Sequence, residues 1–149
     1  MNKTVEFLKQ QIGKEANLSP SPLMRWLNPI LLSVDEGRMS LQYTVRHEMT
    51  NPIGTLHGGI SAAIIDDAIG AAVFSLGENH FYSTINIAID YFGKAIENET
   101  IIAETRVIKK GKQLINAQCE IWNADKSRML VKGYSNLLKT EILKPEQKN

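Results

Sequence analysis

The chain has 149 residues, enough for one domain to bury a core without disulfide or metal staples. Hydrophobic residues make up 43% and charged residues 22%, a soluble globular composition, and the net charge of +1 gives no overall field toward nucleic acid or membrane. A single cysteine excludes an intramolecular disulfide framework and fits a reducing cytoplasm. Residues 1–11 lack a charged segment followed by an apolar core, so no secretory signal is expected there. Val5, Leu8 and Ile12 recur at helical spacing, and Gly13 is a natural stop. Pro20, Pro22 and Pro29 then punctuate a loop-like stretch around Trp26. Residues 30–34 read as a strand, 35–38 as a hairpin turn, and 39–45 as a half-buried strand with alternating Met39, Leu41, Tyr43 and Val45. Asn51-Pro52-Ile53-Gly54 is a turn by composition.

The most apolar window, residues 58–76, nearly matches a bilayer span, but Asp66 and Asp67 in its middle make a lipid setting costly. It reads as a long helix, apolar nearly all round and therefore surrounded by protein. Gly77-Glu78-Asn79 closes it. A meander follows: a strand near 84–91, a second over 100–108, a turn at Lys110-Gly111-Lys112, a third alternating strand through Ile115, Ala117, Cys119 and Ile121, a turn at 123–126, and a last strand over 129–138. The expected architecture is a single α+β domain spanning 1–149, with an antiparallel sheet curled around one long central helix. Residues 1–28 form an N-terminal helix and loop, and residues 139–149 a polar tail.

The segment from Asn51 to Asp67 carries the chemistry. His57-Gly58-Gly59 lies where the long helix starts. The first N–H groups of a helix have no internal partner and the dipole there favours negative charge. Glycine lets a ligand approach those amides closely, which suits an oxyanion hole. Asp66 sits among Ala62, Ala63, Ile65 and Ile69, where desolvation is expected to raise its pKa and make it a better base. Gly58 and Asp66 are eight residues apart, about 12 Å along one helix, so one chain cannot bring both to a single carbonyl. If both act, a neighbouring chain supplies one of them, and the protein is a dimer.

Asn51 six residues before His57, the two glycines, and Asp66 nine residues after His57 together resemble the PaaI-type hotdog thioesterases. That group includes phenylacetyl-CoA and 4-hydroxybenzoyl-CoA thioesterases. The resemblance covers roughly residues 29–138. It implies a hotdog fold, hydrolysis of an acyl-CoA thioester, no metal and no cofactor, and a homodimer that pairs into a dimer of dimers. By the same resemblance Asp66 is general base or nucleophile, the Gly58 N–H polarises the carbonyl, and Gly59 contacts the bound substrate or coenzyme A. Asn51 positions substrate or water, and His57 supports the helix start. Counting back from Tyr91-Phe92-Gly93-Lys94-Ala95 places the family's water-holding hydroxyl on Thr84, with Ser83 on the opposite face. Basic residues near the 110–112 turn, namely Arg106, Lys109, Lys110 and Lys112, are expected to meet the phosphates of coenzyme A.

Blander readings stand beside these. Asn51 before Pro52 is also an ordinary turn residue, Thr84 an ordinary strand threonine, and the lysines a solvated hairpin tip. Asp67, adjacent to Asp66 and rotated about 100° from it, caps or pairs elsewhere. Cys119 reads as core, and three scattered histidines suggest no metal site. Two other functions compete. A hotdog dehydratase would want a histidine where Asp66 stands. An acyl-CoA sensor fused to a DNA-binding unit would need more than the 28 residues that precede the first strand.

Overall fold

The computed structural model describes residues 1–145. Two short helices precede the sheet. In α1 (Lys3–Lys9), the Asn2 side chain accepts from the Thr4 and Val5 amides. In α2 (Pro22–Leu27), Ser21 caps the first turn, Pro22 sits where its missing N–H costs nothing, and Asn28 ends the helix in the left-handed region. The stretch read as a proline-punctuated loop therefore holds a helix, because one of its prolines is a starter.

Six strands follow: β1 (Ile30–Asp35), β2 (Arg38–Thr44), β3 (His80–Tyr91), β4 (Thr100–Lys110), β5 (Leu114–Asn123) and β6 (Met129–Leu143). They form one antiparallel sheet in the order β1-β2-β4-β5-β6-β3. β6 runs five residues past the expected end, so residues 139–143 pair with β3 instead of fraying. Residues 146–149 of the expected tail lie outside the described residues.

The central helix, α3 (Gly58–Phe74), lies in the curl of the sheet, the expected hotdog arrangement. It buries Ile64, Ile65, Ala68, Ile69, Ala72 and Val73. Approach is closest at Gly133 on β6, where a Cβ would lie 2.6 Å from Ile65 Cγ2. The helix is not surrounded on every side: Asp66 and Gly70 are exposed within the chain. The N-terminal segment lies over that open flank, with Ser21 touching α3.

β3 is the far edge of the sheet and is largely exposed along its length, Ile85 and Tyr91 each at 54%. It carries a register shift between Thr84 and Asn86 in its pairing with β6.

Candidate active site

The loop before α3 is tied down on both sides. The His57 amide donates to Met49 O and the Leu56 amide to Ala95 O. Asn51 organises the turn itself: its Oδ1 accepts from the Ile53 and Thr55 amides, and its Nδ2 donates to Thr55 Oγ1. Asn51 is thus engaged within its own loop, as the turn reading anticipates. His57 is the N-cap of α3, with its Nδ1 accepting from the Gly59 amide at 2.9 Å. The Gly58 amide has no acceptor among the described residues, while Gly58 O accepts from Tyr91 Oη at 2.7 Å. Tyr91 had no sequence signal, and it ties the C-terminal end of β3 to the start of α3.

Two turns further along α3, Thr84 Oγ1 donates to Asp66 Oδ1 at 2.8 Å. The register shift after Thr84 produces this contact. Unbroken alternation would put Thr84 with Asn86 and Ala88, opposite Ile87 and Ile89. The extra residue, Ile85, turns Thr84 to the helix side.

The carboxylate in apolar surroundings is Asp67, not Asp66. Asp66 is exposed in the chain, whereas Asp67 is partly buried, with Oδ2 out of solvent and unpaired. Burial raises the Asp67 pKa to about 6; the hydrogen bond from Ser21 Oγ (2.9 Å) opposes this, and the Asp66 charge adds to it. The desolvation expected for Asp66 falls on its neighbour because the N-terminal segment covers that side of the helix. Asp67 does pair elsewhere, as expected.

Asp66, Asp67 and Thr84 line a cavity of about 650 Å³ between α3, β3 and the N-terminal segment. Its walls are mainly apolar, with Phe74 on α3, Phe81 on β3, and Phe7, Leu8 and Leu18 from the N-terminal segment. Asp66 and Thr84 thus place a carboxylate and a hydroxyl at an apolar pocket.

The basic residues do not converge. Lys110 pairs with Glu78. Arg106 projects toward β5, where the Gln118 amide oxygen, in the orientation that satisfies both groups, accepts from Nε and Nη2 at 2.8 and 2.7 Å. Lys109 and Lys112 stay exposed near the hairpin tip. A polar recess of about 350 Å³ beside Arg38, Glu104, Arg106 and Glu120 does not include Asp66 or Thr84. Cys119 is fully buried, and burial pushes its thiol far up, which suits core and not nucleophile. Among the described residues no His, Cys, Asp and Glu cluster suits a metal, and no helix is long and apolar enough to cross a membrane.

Comparison with known proteins gives consistent results. The sequence profile of the thioesterase superfamily matches residues 53–129, which include His57, α3 and Thr84 but not Asn51. Human acyl-coenzyme A thioesterase 13 is 28% identical over 103 residues, 69% of this chain and 74% of that protein. The structure of the E. coli PaaI protein from the phenylacetic acid degradation operon superposes with a TM-score of 0.81 at 20% identity, covering 95% of this chain and 97% of that one. A hypothetical thioesterase from Streptococcus pneumoniae, solved with coenzyme A, superposes with a TM-score of 0.71 at 19% identity, covering 76% and 86%. At these identities the structural matches establish the shared fold.

Proposed function

The chain belongs to the thioesterase superfamily, and from that premise we propose that it hydrolyses an acyl-CoA thioester at a site shared by two subunits. The observation that carries the reading is the Thr84–Asp66 hydrogen bond at the apolar cavity. The naming of relatives as acyl-CoA thioesterase, and the coenzyme A in a structural neighbour, support the choice of substrate.

Asp66 takes a proton from water held by Thr84 Oγ1, whose lone pairs remain free to accept while its own proton goes to Asp66. The water oxygen bonds to the thioester carbon, and the carbonyl becomes an oxyanion. A Gly58 amide at a helix start receives it. Collapse breaks the C–S bond, and the CoA thiolate takes the proton from Asp66. Direct attack by Asp66 to form a mixed anhydride, then hydrolysed, uses the same groups.

Edge geometry supports a shared site. Within one chain Thr84 lies at Asp66 and Tyr91 at Gly58, seven residues apart on the same strand. A long exposed edge strand invites pairing with a second copy. If β3 pairs antiparallel with its two-fold mate so that Thr84 stands opposite the mate's copy of position 91, the Gly58 amide of one chain comes to the Asp66 of the other.

A dehydratase reading is disfavoured by a carboxylate, not a histidine, on Thr84. A sensor reading is disfavoured because binding alone has no use for a carboxylate hydrogen-bonded to a hydroxyl at an apolar cavity. The test is thiol release from short, long and aromatic acyl-CoAs by wild type and Asp66→Asn. Turnover lost in the variant supports the reading, and equal turnover in both contradicts it.

A further inference from the structure

We propose that the cavity is a tunnel for a straight acyl chain of about ten carbons, kept open by Gly70 and ended by Phe74. This rests on the thioesterase reading above. Asp66, Gly70 and Phe74 stand at i, i+4 and i+8 on α3, so they form one stripe, and all three line the cavity. Opposite them β3 runs from Thr84, hydrogen-bonded to Asp66, back through Tyr82 and Phe81 to His80. Phe7, Leu8 and Leu18 lie above.

Gly70 is the telling residue. Glycine is the least favourable helix-interior residue after proline. Close packing does not explain it, because a Cβ there would meet nothing within 4 Å. Gly133, by contrast, is a packing glycine, pressed against Ile65. The space a side chain at position 70 would fill is the cavity itself. One turn on, Phe74 lines the cavity, and Lys144 Nζ, also at the cavity, stands 4.3 Å from its ring centroid, holding it as an end wall.

The distance from Asp66 to Phe74 along the helix is about 12 Å. Tetrahedral C–C bonds of about 1.5 Å advance roughly 1.25 Å each, so an extended chain of about ten carbons spans it. An aryl group beside Asp66 leaves the Phe74 end unfilled, and a sixteen-carbon chain overruns it.

The experiment is kcat/KM on saturated acyl-CoAs from acetyl to palmitoyl, with phenylacetyl-CoA alongside, for wild type, Gly70→Leu and Phe74→Ala. The expected wild-type optimum is at about ten carbons, since each buried methylene is worth roughly fourfold. Gly70→Leu should lower the ratio of decanoyl to butyryl specificity at least about tenfold, as leucine displaces several methylenes from the wall. Phe74→Ala should move the optimum toward myristoyl or longer. An unchanged ratio in Gly70→Leu, or an optimum on phenylacetyl-CoA, overturns the tunnel while leaving hydrolysis intact. If wild type turns over none of them, the catalytic reading fails and the tunnel is judged by calorimetry with S-decyl-CoA and S-ethyl-CoA, thioethers that cannot be hydrolysed. Tighter binding of the decyl compound to wild type but not to Gly70→Leu upholds it; equal binding of the two by wild type overturns it.

Discussion

Thr84 donates its hydroxyl proton to Asp66 across 2.8 Å, and it does so only because the strand slips one residue immediately afterwards. The pair joins a strand at the sheet edge to the exposed flank of the central helix. It fixes the carboxylate while leaving the hydroxyl oxygen free to accept from water.

If this pair activates water, Asp66→Asn loses about 10²- to 10⁴-fold in kcat while the fold is kept, because general-base contributions fall in that range. Thr84→Ala loses about ten- to a hundredfold, the worth of one hydrogen bond to a charged group, and Thr84→Ser restores most of it. Steady-state kinetics with circular dichroism on each variant decides. A Thr84 that serves only the fold would lower the unfolding free energy and leave kcat of the folded enzyme unchanged.

Gly58→Pro is the sharpest probe of the oxyanion role. Proline is tolerated at the first helical position, and the nearest atoms to a Cβ there are those of the Tyr91 phenol at 3.4–3.5 Å, ordinary contact. The substitution removes the one N–H in question. Its expected cost is about 10²- to 10³-fold in kcat with little change in melting temperature.

Asp67 ties stability to pH. Its folded pKa of about 6 lies above its ordinary value, so folding favours the protonated form. The stability that goes with neutral Asp67 is fully present below about pH 4 and is lost as pH rises through about 6. Asp67→Asn keeps an acceptor for Ser21 and carries no charge. It should match wild type near pH 4 and exceed it at pH 8 by about 1–2 kcal/mol, a figure discounted for partial exposure. Denaturant midpoints at the two pH values check this; a difference independent of pH would contradict it.

Gly133→Ala should destabilise by about 1–3 kcal/mol, because the new methyl meets Ile65 and the helix must back away from β6. Ile65→Val made together with it should recover part of the loss, a coupling read from a double-mutant cycle.

The central helix and the meander were legible from residue spacing, since apolar periodicity and turn residues are local signals. What was not legible depended on long-range contacts. Which of two adjacent aspartates is desolvated is decided by the N-terminal segment that covers it, whose Ser21 reaches Asp67 from 46 residues away in sequence. The face of Thr84 is decided by a slip in register against β6, and regular alternation points the wrong way. The second helix is hidden because three prolines in ten residues have the composition of a loop, although Ser21-Pro22 is a cap followed by a starter. Strand β6 runs on through polar Lys139, Thr140 and Glu141 because β3 offers it a partner.

The most direct test of a site shared between subunits is complementation. Gly58→Pro and Asp66→Asn chains, each carrying a different affinity tag, are co-expressed, and dimers bearing both tags are isolated. If each site takes Gly58 from one chain and Asp66 from the other, a mixed dimer has one intact site and one doubly defective site, and its turnover should be about half that of wild type. Mixed dimers as inactive as either parent would contradict the shared site.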